Sequence, residues 1–370
     1  MPNGIGTCFL EVGDMMRKPR SGSHRVPGTR IRHDDGAELV TAIRAIIQQA
    51  WETRQEFKPE IWFSAPGAKH YDNQYYSNRP FSFANLSVTG EACACRCAHC
   101  EGALLQTMIG ATSPQAMRRV VDKLLKKGCQ GILVSGGGNS NGEVPLQPFV
   151  EVMGYAKQMG LKVLVHGGLI RRETAAMLKE AEVDQVLMDV IGDERTIREV
   201  CHLNRKPDDY LQSMRYCRDA GLNIAPHIVI GLHFGQIRGE RRSLEMIRQA
   251  DPETIVLVIL TPACGTAMAG IQPPSMDEAA EIMATARVLN PATPITLGCA
   301  RPPGQYKRRA EMNAIDCGVN GIAYPDEATV AYARNKGLKT VFSEECCSLL
   351  GKSLPSPHHM PVIDAVTAGG

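Results

Sequence analysis

The sequence predicts an α/β protein: a parallel (β/α) TIM-like barrel with helices outside and an N-terminal helical extension. Two observations carry this. From about residue 81 onward, short apolar runs alternate with amphipathic stretches, the order that builds a parallel sheet covered by helices. Glycine and polar residues also recur just past successive apolar runs, where the strands of a barrel converge on one mouth. The same alternation permits a doubly wound open sheet. The residues at the strand ends favour the barrel.

The elements follow in order. Residues 1–36 are a basic flexible tail carrying Arg17, Lys18, Arg20, Arg25, Arg30 and Arg32, a solvated segment in preference to a binding arm. Residues 37–80 are the helical extension, with a helix over 37–57 that sets Leu39, Ile43, Ile46 and Ile47 on one side. The core spans 81–290, with strands over 83–88, 131–135, 162–166, 185–189, 223–230 and 254–261. The run from Ile255 to Leu260 is apolar throughout and therefore buried on both faces. Between strands, Met117, Val120, Val121, Leu124 and Leu125 form one helical face after Ser113-Pro114, stopped by Gly128. A second helix opens with the capping box Ser275-x-x-Glu278 and turns Ile282, Met283, Ala286 and Leu289 inward. Residues 291–350 complete the barrel with strands over 294–298 and 321–324 and a closing strand at 340–342, and 351–370 are a tail.

Composition narrows the function. A hydrophobic fraction of 44% in 370 residues is ample for a large core, and 5% aromatics means aliphatic packing. Formal charge is +2, from 41 basic against 39 acidic side chains, which offers no global field for nucleic acid or membrane. No run reaches the roughly 18 apolar residues of a membrane span, and the first residues lack the order of a secretory signal. A cytoplasmic location is expected. There, 13 unevenly clustered cysteines argue for metal or Fe–S ligation over a disulfide framework.

The chemistry sits in Cys93-Ala94-Cys95-Arg96-Cys97-Ala98-His99-Cys100, just past the first core strand. Thiolates at Cys93, Cys97 and Cys100, spaced C-x3-C-x2-C, can hold three irons of a 4Fe–4S cubane from one loop, leaving the fourth iron without a protein ligand. Cys95 inside the motif also creates spacings suited to a structural zinc knuckle. The position of the loop, at a strand's C-terminal end, favours the catalytic reading.

This motif, with His99 just before its last cysteine, resembles the radical S-adenosylmethionine (SAM) superfamily. The resemblance implies that SAM binds the open iron and that reductive cleavage of its sulfonium bond yields a 5′-deoxyadenosyl radical. It implies His99 against the adenine. Gly136, Gly137 and Gly138 would expose backbone to the SAM amino group, since only glycine lets the chain approach that closely. Asp189 is either a ribose contact or the N-cap of the next helix, and Ile230-Gly231 resembles the adenine-binding glycine motif. An external electron donor is implied as well.

In the C-terminal quarter, Leu297-Gly298-Cys299-Ala300-Arg301-Pro302-Pro303-Gly304 and Gly318-Val319-Asn320-Gly321-Ile322-Ala323-Tyr324-Pro325 resemble the C-terminal module of the biotin synthase-like group, and the resemblance as a whole spans about residues 81–350. The closest resemblance is to archaeal-type, two-protein lipoyl synthases, carried by Ser87-Val88-Thr89-Gly90, Asp189-Val190-Ile191-Gly192-Asp193, Pro226–Leu232, Cys299-Ala300-Arg301-Pro302 and Glu345-Cys346-Cys347-Ser348-Leu349. That family forms C–S bonds at C6 and C8 of a protein-bound octanoyl chain. An octanoylated carrier protein or domain is then the substrate, a second radical SAM protein the partner, and an auxiliary Fe–S cluster the sulfur source. Cys299, Cys346 and Cys347 are its candidate ligands, with Cys264 or Cys8 as a further one; Cys346 and Cys347 are alternatively small packed thiols. Arg301 is either a carboxylate or cluster contact or a salt-bridged rim residue, and His166 and His227 either substrate contacts or satisfied interior histidines. Cys217 reads as core, whereas Cys129, Cys201 and Cys317 carry no motif. Other readings remain open: a biotin synthase-like isomerase or cofactor-maturation enzyme, or a non-catalytic zinc or Fe–S protein.

Overall fold

A computed structural model describes residues 33–351. Most of the predicted tails and Cys8 lie outside them, but residues 33–36, read as tail, already belong to the first helix. Thirteen strands occur in chain order: β1 (Glu60–Ser64), β2 (Asp72–Asn73), β3 (Tyr76–Ser77), β4 (Phe83–Ser87), β5 (Ile109–Gly110), β6 (Gly131–Ser135), β7 (Lys162–His166), β8 (Gln185–Asp189), β9 (Ile224–Ile230), β10 (Ile255–Ile259), β11 (Ile295–Leu297), β12 (Gly321–Ala323) and β13 (Lys339–Ser343). Eleven of them form one sheet in the order β13-β1-β12-β11-β10-β9-β8-β7-β6-β4-β5, and β2 pairs with β3 apart from it.

Every pairing in the large sheet is parallel. From β6 to β12 each strand lies beside its sequence neighbour, so there is no point where the winding reverses. That order is singly wound, and it excludes the doubly wound alternative. The sheet also curls. Inner-face residues from well-separated strands, Phe83, Leu164, Leu187, Val256 and Ala323, belong to one buried cluster, which a flat sheet could not bring together. Side chains of the opposite parity, among them Leu86, Val134, Val165, Val186 and Ile228, pack with the helices in a second, larger cluster. This is the half-barrel, TIM-like arrangement that the alternation predicts.

The helix starts are encoded locally. Ser113 accepts from the Ala116 amide at 3.1 Å to begin the helix Pro114–Lys126. At Ser275 the capping box forms as read, with Glu278 N–H donating to the serine and the Ser275 amide donating back to Glu278. The N-terminal extension differs from expectation. Its helix runs His33–Arg54, with Leu39 exposed and Ile43 buried, and the same segment then supplies β1, wedged between β12 and β13. Among the described residues no helix is long and apolar enough to cross a membrane.

Two buried charge networks lock the C-terminal strands. Arg287 sends hydrogen bonds to the carbonyls of Gly318, Asn290 and Thr293. Arg301 is fully buried against Glu311, its Nε 2.9 Å from Oε1, and also donates to the carbonyls of Gly298, Ala323 and Tyr324. Glu311 in turn accepts from the Asp326 amide and the Thr329 hydroxyl. Arg301 is therefore an interior clamp, not a rim residue and not open to a substrate carboxylate. Removing one partner of such a pair strands a buried charge. Glu311→Ala is expected to cost about 3–5 kcal/mol, read as a lowered urea midpoint in equilibrium unfolding.

Candidate functional site

The cysteine loop begins where β4 ends, and backbone contacts fix its course. Val88 N–H donates to Ser135 O at 2.8 Å and Ala94 N–H to Gly138 O at 2.8 Å. The Gly137 amide donates to Thr89 Oγ1 at 2.7 Å. A Cβ at Gly137 would lie 2.0 Å from Ala92 O and 2.5 Å from Cys93 Cα, and one at Gly138 2.7 Å from Cys95 Sγ. These glycines are needed first for the loop itself. The sequence assigned their bare backbone to the cosubstrate; much of it is taken up in seating Ala92 to Cys95.

Other segments close around the loop. Ala98 N–H donates to Val200 O at 2.8 Å, Ala263 N–H to His99 O at 2.8 Å, and the His202 Nδ1 pairs with Cys95 O at 3.1 Å. Glu101 accepts from the Ala267 amide at 2.9 Å. The loop carrying Cys264 thus docks on the cysteine loop.

Cys93, Cys97 and Cys100 are half-buried and Cys95 is buried. The Cys95 thiol donates to Asn139 O at 3.2 Å. A hydrogen bond from Cys97, with His99 adding to it, pulls the Cys100 thiol down to about 4. Its partner Cys97 is pushed up by the same contact and by Cys201. Burial opposes protonation of His99, yet Cys100 beside it raises the imidazole overall. The His99 Nδ1 is buried without a hydrogen-bond partner, an orphaned polar atom within the cysteine loop. Among the described residues, no three His, Cys, Asp or Glu side chains form the compact cage of a single metal ion. A row of soft thiol donors on one loop fits a polynuclear iron–sulfur group better than one hard ion.

Beside the loop, a cleft at the ends of β8 and β9 is lined by Asp189, Gly192, Val229, Leu232, His233 and Glu240 among others. The N-cap of the following helix is Asp193, which accepts from Thr196 N–H at 2.8 Å. Asp189 is left free of the capping role. Ile230 turns its side chain into the helix-side core and does not line the cleft. Gly231 has φ +80°, and a Cβ there would meet Pro274 at 2.6 Å; its amide donates to Glu240 at 2.8 Å.

The second group of cysteines lies at the same end of the sheet. Cys299 follows β11 and is accessible, while Cys346 and Cys347 follow β13. A hydrogen bond from Cys347 lowers the Cys346 thiol to about 7, and the Ser348 hydroxyl also donates to Cys346 at 3.4 Å. Cys299 is close enough to raise Cys347 electrostatically. The turn Cys347–Gly351 folds back inward, where Cys347 and Leu349 join the inner-face cluster.

Two residues escaped the sequence reading. Cys201, buried, presents its carbonyl to the Cys97 thiol at 3.9 Å. Glu240, 5% exposed, gathers the amides of Gly231, Arg238 and Gly239. An acid opening a helix is the signal that could have found Glu240. For Cys201 there was none. Cys217 is core, as expected, and Cys129 and Cys317 donate to nearby carbonyls.

Comparison with known proteins gives a family match and likenesses of fold. Residues 87–247 match the family model described as the Radical SAM superfamily. A biotin synthase of Prochlorococcus marinus subsp. pastoris is 27% identical over 186 residues, 50% of this chain and 54% of the relative. Biotin synthase 2 of a Polaromonas species is 23% identical over 250 residues, 65% of this chain and 71% of the relative. The chain spans about half the length of the Prochlorococcus relatives it matches. In fold it is similar to methylornithine synthase, with a TM-score of 0.56 at 15% identity over 85% of this chain and 95% of that one. It is likewise similar to the FeFe-hydrogenase maturase HydG of Carboxydothermus hydrogenoformans, with a TM-score of 0.55 at 15% identity over 81% and 72%.

If the glycine contact seats the loop, Gly137→Ala loses most of the iron taken up on anaerobic reconstitution, at a stability cost of about 1–3 kcal/mol. Iron analysis beside a melting curve measures both. Cys201→Ser, by contrast, is expected to keep its iron.

Proposed function

With a radical SAM domain at residues 87–247 as the premise, we propose that this chain inserts sulfur into an unactivated C–H bond. The cofactors are a 4Fe–4S cluster and SAM. In this reading Cys93, Cys97 and Cys100 hold the cluster. SAM would lie between the Gly136–Gly138 run and the Gly231 turn, with His99 facing it. Together the cluster and SAM supply a carbon radical able to take hydrogen from an alkane, a step beyond the reach of any side-chain base.

The rest falls to the protein's own residues. Gly137 and Gly138 hold the cysteine loop against β6. Glu240 tethers the Gly231 turn. Leu133, Leu164, Leu187, Val256 and Val258 give the interior an apolar wall, which suits an aliphatic chain and keeps water from a reactive radical. Cys299, Cys346 and Cys347 are the proposed ligands of an auxiliary, sulfur-donating cluster.

The observation that carries the proposal is the placement of two separate groups of thiols at one end of a parallel barrel whose inner face is apolar. The octanoyl-carrying protein substrate and a second radical SAM partner rest on the lipoyl synthase-like motifs. The biotin synthase relatives support sulfur insertion as the reaction class. They also favour a second reading, a biotin synthase-like enzyme acting on a small molecule.

Anaerobic reconstitution tests the core of this. About eight irons per chain are expected, four for each cubane, with 5′-deoxyadenosine formed on reduction with SAM. Cys93→Ser loses that product. Cys346→Ala with Cys347→Ala keeps it, binds about half the iron, and makes no thiolated octanoyl peptide. A wild type that saturates at about four irons removes the auxiliary cluster and leaves the non-sulfur readings.

A further inference from the structure

Three neighbouring strands place His166, Asp189 and His227 together on the inner face of the sheet. Asp189 of β8 stands opposite His227 of β9 in the strand register. The His166 ring meets the His227 ring edge-on, with centroids 5.4 Å apart, and His166 Nε2 lies 3.8 Å from Asp189 Oδ1. Around them the inner face is apolar: Leu133, Leu164, Leu187, Ala225 and Val229. Polar groups on such a wall are costly without partners.

Their chemistry can be read atom by atom. His227 Nδ1 lies 2.9 Å from Ala225 O. A carbonyl can only accept, so Nδ1 carries the proton and Nε2 keeps a lone pair directed away from its own strand. Burial, with the neighbouring His166, depresses the His227 imidazole to about 4, so at neutral pH it stays uncharged. The Asp189 side chain is 48% exposed and that of His166 25%. His227 is itself half-buried, so a neutral nitrogen acceptor and an accessible carboxylate stand side by side on the inner face.

We propose that His166, Asp189 and His227 form a substrate-recognition site for an N–H donor, either an amide-type nitrogen or an ammonium, borne on an aliphatic chain. This rests on the radical SAM reading and assigns Asp189 to substrate in preference to ribose. The apolar wall takes the chain while the two acceptors take the nitrogen. A ligand without N–H leaves both acceptors unpaired, and the site discriminates by that penalty.

Three eight-carbon probes isolate the head group: N-methyloctanamide, octylamine and methyl octanoate. Binding to the reconstituted full chain is measured by calorimetry or saturation-transfer NMR. One of the two nitrogen probes is expected to bind at least about tenfold tighter than the ester, the worth of a single hydrogen bond. Tighter amide identifies a neutral amide-type substrate, and tighter amine a cationic one. His227→Phe keeps the ring and removes the lone pair, so it should bring the preferred probe down to the ester's level; His227→Asn, which returns an acceptor, should restore part of the difference. Equal binding of all three probes, no binding by any, or a preference that survives His227→Phe overturns the proposal. Iron content and 5′-deoxyadenosine formation, recorded on the same samples, report separately on the underlying radical SAM reading.

Discussion

The candidate site depends on one steric constraint. The chain at Ala92–Cys95 and the chain at Gly137–Gly138 lie so close that no side-chain carbon fits between them. Hydrogen bonds from Ala94 to Gly138 O and from Gly137 to Thr89 then hold the contact in register. A loop with four cysteines would otherwise have many ways to arrange its sulfurs. Pinned at one end to β6 and at the other to Val200 and Ala263, it has few. Order in the donor set is a property of the neighbouring strand as much as of the cysteines.

The barrel separates two kinds of interior. Side chains of one parity fuse with the helices into a continuous hydrocarbon layer. Those of the other parity face inward, where apolar residues alternate with His166, Asp189 and His227. Strand geometry produces this division without special pleading, because successive side chains point to opposite faces. Stability and chemistry thus occupy alternate positions of the same strands. Charges on the structural side are satisfied internally, as Arg301 and Glu311 show.

Most of the fold was legible because it is local. The predicted core strands match their observed positions to within a few residues, and both helix starts read from Ser113 and Ser275 are present. β1 was not legible. Glu60-Ile61-Trp62-Phe63-Ser64 is short and follows a long helix, and only pairing with β12 and β13 makes it a strand. At the site, the cysteine and glycine motifs could be read because their spacing is itself the signal. Cys201 could not, since its neighbour Cys97 is distant in sequence and no pattern links them. Arg301 was misjudged because a single arginine carries no mark of burial; Glu311, the residue that permits it, lies ten residues on, within the helix Gln305–Asp316.

The place of β1 has a consequence for how the molecule comes into being. β1 finds its two partners only much further along the chain, in β12 and β13. Contacts so far apart along the chain form slowly, and until they do the hydrophobic residues Ile61 and Phe63, fully buried in the finished fold, have no strand to lie against. The sheet is therefore complete only when the two ends of the described chain have met. The same step brings the cysteine pair beyond β13 to the mouth, so the second group of thiols cannot be complete before the sheet is.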